Sequence, residues 1–419
     1  MQPSQHALRS CLGAVLAAFL MNAAAAEPGG HWVASWGAAQ QIPEPANELA
    51  AESWRDGTIR QIVHLTLGGK QFRVRVSNAY GTAPLMLEAA SVALALAPGQ
   101  AGVNAPTLRP LTFDGRTSVM IPAGTEYYSD AIAMELKPAA DLAVSLHFKE
   151  APARQTGHPG ARGTTFLAKG NRVNDAAWDD AAKTTRWYAL GDVEVLAPRG
   201  TGALVAIGDS ITDGYGVPAD TNTRWTDVLA ARLRNEKITM GVVNAGIGGG
   251  RMLRDGLGPN LASRFDRDVL SRAGVTHALV LIGVNDMGGM HRNTPDTKAD
   301  RQLLLADLKL AHRQLAERAR AHGVCLIGAT VTPYVGSDYY HPEPENEADR
   351  QELNQWIRSS GVFDAVADFD AALRDPARPD RLKPVYDSGD HLHPSLAGYR
   401  ALAETVPLKA LQKKCGDMK

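Results

Sequence analysis

Between Pro198 and Gly202 the hydrophobic period of this chain changes, and that change constrains the fold more than any other feature. Before it, apolar residues recur at every second position in short runs. Residues 58–67 alternate, Gly68-Gly69 supplies a turn, and residues 71–77 alternate again, with Phe72, Val74 and Val76 on one face and Arg73 and Arg75 on the other. That pattern reads as a hairpin. Further runs fall at 90–96, 118–121, 131–136, 142–148 and 187–196, with Gly, Pro, Asn and Asp between them. The spacing predicts an all-β, sandwich or jelly-roll-like domain over residues 27–197.

After the change, short apolar strands at 203–207, 241–244, 277–282, 324–329 and 363–367 alternate with helical stretches. The helices are expected at 225–235, 303–322, 348–360 and 395–413; in the third, Leu353, Trp356 and Ile357 recur at helical spacing. Continuous apolar strands with crossover helices predict a doubly wound α/β domain over residues 198–419, its parallel sheet covered on both faces. In such sheets chemistry collects at the carboxyl ends of the strands.

The 419 residues balance 44 Lys and Arg against 45 Asp and Glu. That balance supplies no electrostatic footprint for nucleic acid and no polybasic surface for anionic lipid. Residues 1–26 read as an export signal: Arg9, an apolar run over 11–21, and Ala24-Ala25-Ala26 before Glu27. The run is too short to span a bilayer, and the rest of the sequence holds no second one. Cys11 opens the run, whereas a lipid-modified cysteine would follow it, so no lipid anchor is expected. A secreted or periplasmic protein is expected, with Cys325 and Cys415 either disulfide-bonded or left as two free thiols.

The residues just beyond each strand carry the chemistry. Residues 203–207 run into Gly208-Asp209-Ser210-Ile211-Thr212-Asp213-Gly214, which puts a serine at the carboxyl edge of the sheet or simply caps a helix. The second strand ends in Asn244 and a glycine run, Gly246 to Gly250, where backbone N–H groups can approach a ligand. A phosphate loop is the weaker reading, because the run is not continued by Gly-Lys-Ser/Thr. The third strand ends in Gly283-Val284-Asn285-Asp286, whose amide either donates into a site or forms a turn. Near the end, Asp390 and His393 share one loop, so one carboxylate can orient one imidazole for acid–base work. Asp390, His391 and His393 are also metal-ligand types, but no further cluster supports a metal. Asp368 and Asp370 are expected to be structural, and the loop over 334–347 either borders the site or is solvated connection.

Together and in this order, the four blocks resemble those of the GDSL, or SGNH, hydrolases over roughly residues 200–411. The resemblance implies a flavodoxin-like three-layer hydrolase domain and a serine ester hydrolase that needs no cofactor and no metal. It assigns Ser210 as nucleophile, His393 as general base and Asp390 as its partner. It assigns the Ser210 N–H, the Gly249 N–H and the Asn285 amide as oxyanion donors, with Gly248 or Gly250 as alternatives to Gly249. The expected substrate is a small-molecule or polysaccharide ester, with a short-chain or acetyl group favoured. Lipase, lysophospholipase and arylesterase activities are the alternatives within the family, and a non-catalytic carbohydrate-binding protein is the alternative outside it. Trp32, Trp36, Trp54, Tyr80, Tyr127, Tyr128, Trp178 and Trp187 offer sugar-stacking faces or, more simply, core packing. Oligomeric state is not legible.

Overall fold

The computed structural model describes residues 30–292 and 296–415. The export signal therefore lies outside the described residues. Among the described residues no helix is long and apolar enough to cross a membrane.

The first half is β-rich. One antiparallel sheet takes Gly30–Gly37, Leu190–Pro198, Gly69–Ser77 and Glu126–Tyr128 in that order, with Ile132–Leu136 also pairing Gly69–Ser77. A second takes Ala182–Thr184, Thr165–Lys169, Gly57–His64, Asp141–Phe148, Ala89–Leu94 and Arg109–Pro110. Val33, Phe72, Val74, Val193 and Val195 from the first share one core with Ile59, Val63, Leu142, Val144 and Leu146 from the second. The alternation identifies the buried face correctly, since Phe72, Val74 and Val76 are fully buried.

The hairpin expected across Gly68-Gly69 does not form. Gly57–His64 and Gly69–Ser77 lie in different sheets. Between them Leu65 N–H donates to Ala140 O, Thr66 N–H to Ser35 O and Leu67 N–H to Ser35 Oγ, so the chain passes from one sheet to the other. Period-two patterning fixes which face is buried but not which strand becomes the neighbour. Arg73 and Arg75 stay on one face and pair with Glu194 and Asp192 of the adjacent strand.

The second half is a five-stranded parallel sheet. Numbered within this sheet in chain order, Gly202–Gly208, Met240–Gly246, Val275–Leu281, Cys325–Ala329 and Ala365–Ala367 lie side by side as 2-1-3-4-5. The pleat sends alternate residues to opposite layers. Leu204 and Ala206 pack against Trp225, Leu229 and Leu233 of helix Trp225–Asn235 and Tyr399 and Leu402 of helix Leu396–Thr405. Val205 and Ile207 face Leu305, Leu308 and Leu315 of helix Lys298–Ala321 and Leu353 and Ile357 of helix Pro344–Ser359.

Helix ends differ from expectation where caps decide them. Lys298–Ala321 begins earlier because Thr297 and Asp300 form a capping box. The last stretch splits into Leu396–Thr405 and Leu408–Leu411, since Pro407 cannot continue a helix. Val284–His291, with two internal glycines, is a helix that the patterning does not signal.

The halves join without a linker, because Leu190–Pro198 turns through residues 199–201 into Gly202–Gly208. The edge strand Met240–Gly246 is covered from the β-rich side: Val242 N–H donates to Thr66 Oγ1 at 2.9 Å. Ala34 N–H donates to Ala273 O at 2.9 Å. Arg272, buried, reaches Asp192 Oδ2 at 3.0 Å and Ala38 O at 2.9 Å. Covering an edge strand removes a template for unwanted pairing.

Cys325, at the start of its strand, is disulfide-bonded to Cys415 just beyond the last helix, with Cα atoms 5.2 Å apart. The bond closes a loop of 90 residues. Cys415→Ser should lower the unfolding free energy by about 2–5 kcal/mol in denaturant titrations. Reductant should destabilise the wild type to the same degree and leave the variant unchanged.

Candidate active site

The strand Gly202–Gly208 delivers the chain to a single helical turn, Ser210–Asp213. Asp209 caps it, its side chain accepting the Ile211 N–H at 3.0 Å. Gly214, left-handed at φ 89°, ends it. One turn has little stability of its own, because nucleating a helix fixes several residues for one hydrogen bond. Contacts from elsewhere hold it. Asn244 Nδ2 donates to Thr212 O at 2.6 Å. Arg224 Nε donates to Asp213 O at 3.1 Å, while its Nη2 donates to Ala161 O of the β-rich half. Buried Arg264 donates to Gly208 O at 2.8 Å and Ala245 O at 2.7 Å, tying two strand ends together. From the β-rich half, His158 places Nε2 2.9 Å from Asp213 Oδ1 and Nδ1 2.8 Å from Ala39 O.

Ser210 Oγ lies 2.8 Å from His393 Nε2. His393 Nδ1 lies 2.6 Å from Asp390 Oδ2. The other Asp390 oxygen accepts from Leu392 N–H, His393 N–H and Ser388 Oγ, at 3.0, 2.8 and 2.9 Å. Burial works against charge on Asp390, but these hydrogen bonds, led by that of the His393 ring, outweigh it and hold the carboxyl well below the usual carboxylate range. With Asp390 charged, Nδ1 donates to it and Nε2 is left to accept from the serine hydroxyl. The Tyr215 ring stacks on His393, centroids 4.0 Å apart.

The glycine run makes a tight turn after the second strand. Gly250 N–H is turned inward to Ile247 O at 3.0 Å. Gly248 and Gly249 instead line a cavity of about 590 Å³ that also exposes Ser210, Asn285 and His393. Gly249 sits at φ 65°, which favours glycine. Asn285 is buried; its Nδ2 donates to Gly250 O at 2.7 Å and its Oδ1 accepts from the Tyr340 hydroxyl at 2.5 Å. All four sequence blocks thus meet at one cavity.

The expected alternatives fall elsewhere. His391 pairs with Asp387 at 2.6 Å, apart from the Asp390–His393 pair. Asp368 is held by Arg358, and Asp370 by Arg350, Arg358 and Arg374. Trp36, Trp54, Trp178 and Trp187 are buried, and none of the eight aromatics lines the cavity. Its aromatic walls are Tyr215, Tyr339 and Tyr340, the last two from the loop over 334–347, for which patterning offers no single role. Sequence reasoning also misses Arg264 and His158, which reach the site from outside every block and carry no local signal.

Two carboxyls close to Ser210 are buried. Burial, which outweighs the Ile211 N–H contact, pushes Asp209 up to about 7. Asp286, which binds the Met252 and Leu253 N–H groups at 2.9 and 3.2 Å, is pushed up to about 6, again by burial. The unfolded chain releases the Asp209 proton near 3.8, whereas the folded one holds it to about 7. Folding therefore takes up a proton across that interval, and the stability this confers is lost as pH rises through it. Asp209→Asn keeps a cap oxygen without the proton. Its melting temperature should gain on the wild type by several degrees between pH 4 and 7 and run parallel to it at lower pH; parallel curves throughout would contradict the assignment.

A model of the GDSL-like Lipase/Acylhydrolase family matches residues 206–401, the stretch that carries Ser210, Gly249, Asn285, Asp390 and His393. Among solved structures, a GDSL-like lipase from Bacteroides thetaiotaomicron is 17% identical, covering 50% of this chain and 87% of its own at a TM-score of 0.37. An acetylxylan esterase from Geobacillus stearothermophilus, in a catalytic mutant, is 22% identical, covering 51% of this chain and 95% of its own at 0.37. An alpha/beta hydrolase from the metagenome of Lake Arreo is 20% identical, covering 50% and 94% at 0.36. None of the curated proteins compared matches the chain. Residues 206–401 thus form a GDSL-like lipase/acylhydrolase domain, and the chain is a carboxylic-ester hydrolase.

Proposed function

We propose that the chain is an exported short-chain acyl esterase that removes acetyl groups from carbohydrate through an acyl-enzyme. The observation that carries this reading is the relay Ser210 Oγ–His393 Nε2 and His393 Nδ1–Asp390, at 2.8 and 2.6 Å, opening on the 590 Å³ cavity. His393 takes the Ser210 proton as Oγ attacks the ester carbonyl, because a free serine hydroxyl is a poor nucleophile. Asp390 holds the imidazole and stabilises the imidazolium. Charge on the carbonyl oxygen meets the Ser210 N–H, the Gly249 N–H and the Asn285 amide. His393 then protonates the leaving alcohol, and a water, deprotonated by His393, releases the acid.

Two features support the substrate class. The cavity is open and of a size for one small ligand. Tyr215 and Tyr339 are partly exposed at its rim; one face of each ring is taken, by His393 and by Arg292, and the exposed ring surface that remains can pack against a sugar. The leader in the first 26 residues supports export to where such polymers lie.

Ser210→Ala should abolish hydrolysis of p-nitrophenyl acetate while leaving the melting temperature near wild type; full residual activity would sink the reading. Asn285→Ala should lower kcat by about 10²–10³ with a smaller effect on KM, as loss of an oxyanion donor does. Along a series of p-nitrophenyl esters kcat/KM should fall from acetate to octanoate, and acetylated xylan should release acetate. A maximum at octanoate would overturn the short-chain assignment.

A further inference from the structure

We propose that Tyr340 is a positioning residue that fixes the Asn285 amide plane for the oxyanion, an inference that rests on the role of Asn285 proposed above. A primary amide has two ends of nearly equal size, and it turns freely about its terminal bond unless hydrogen bonds hold it. Asn285 is held at both ends. Nδ2 gives one hydrogen to Gly250 O at 2.7 Å, and Oδ1 accepts the Tyr340 hydroxyl at 2.5 Å. A single anchor at Gly250 leaves the plane free to pivot about that contact. The second anchor stops the pivot and aims the remaining amide hydrogen into the cavity that Asn285 lines. Donation to Oδ1 also polarises the amide and makes Nδ2 the stronger donor, since linked hydrogen bonds reinforce one another.

The surroundings of Tyr340 are shaped for this contact. Its ring packs against Tyr334 and Tyr339, centroids 6.3 and 4.7 Å away, and is 4% exposed. The loop that carries it is turned back on itself by His341 N–H donating to Ser337 O at 2.8 Å. Gly288 lies one turn after Asn285 on helix Val284–His291, hence on the same face. A Cβ at Gly288 would lie 2.4 Å from the ring, so its absence lets Tyr340 seat directly on the helix backbone beside Asn285. Burial pushes the Tyr340 hydroxyl above its ordinary ionisation, so it is protonated and able to donate at neutral pH.

Tyr340→Phe keeps the ring and removes only the hydroxyl. With p-nitrophenyl acetate, kcat should fall about 10–100-fold, the range lost when a partner that orients an active group is removed. KM and the melting temperature should stay close to wild type. The effect should vanish in the Asn285→Ala background, because a residue that acts through Asn285 has nothing left to position. Three outcomes overturn the proposal: an unchanged kcat in Tyr340→Phe, a loss confined to KM, or an equal loss with and without Asn285. If Asn285→Ala itself leaves kcat unchanged, it is the oxyanion reading of Asn285 that fails, and Tyr340 loses its role with it.

Discussion

Ser210 sits on a turn too short to hold itself, and much of the architecture answers that constraint. Ser210–Asp213 is four residues long. Its position is set by groups that reach it from other strands and from the other half of the chain: Arg264 at Gly208 O, Asn244 at Thr212 O, Arg224 at Asp213 O, and His158 at the Asp213 carboxylate. The last two anchors make the β-rich half part of the same mechanical unit as the serine. Its strand Gly30–Gly37 also lies along Met240–Gly246, whose far end becomes the glycine turn. Moving the two halves apart would shift both Ser210 and the Gly248–Gly249 backbone.

Such a site concentrates buried polarity. Asp209, Asp286, Arg264 and Asp268 are nearly or wholly enclosed within a short distance of the cavity. Enclosing charges is costly, and replacing them by well-packed apolar groups is often neutral or stabilising. Here each of the first three fixes backbone: Asp209 holds Ile211, Asp286 holds Met252 and Leu253, and Arg264 holds two strand ends. The result is a frame that holds Asn285 and the glycine backbone in place, the preorganisation that the oxyanion role proposed for them requires.

Legibility in the sequence tracks the range of the interactions. The parallel sheet is readable because each strand is a local apolar run, and Leu204 and Val205 face opposite layers by pleat geometry alone. The Asp390–His393 pair is readable because its members are three residues apart. The hairpin at Gly68-Gly69 is a misreading because the partners of Leu65, Thr66 and Leu67 are Ala140 and Ser35, remote in the chain. The aromatic residues of the first half look like ligand faces, yet Trp36 and Trp187 meet edge to face at 4.9 Å inside the core. Composition cannot distinguish the two.

The sequence by itself determined the two textures, the order of the strands along the chain, and the chemical identity of the four blocks, because these depend on residue type and on spacing of a few positions. Only the tertiary structure decided that Ser210 and His393, 183 residues apart, come within 2.8 Å, that Gly250 is committed to its own turn, and that Tyr340 and His158 reach the site. Each of those depends on where separate segments come to rest against one another. Local hydrogen bonding and periodicity carry no record of that.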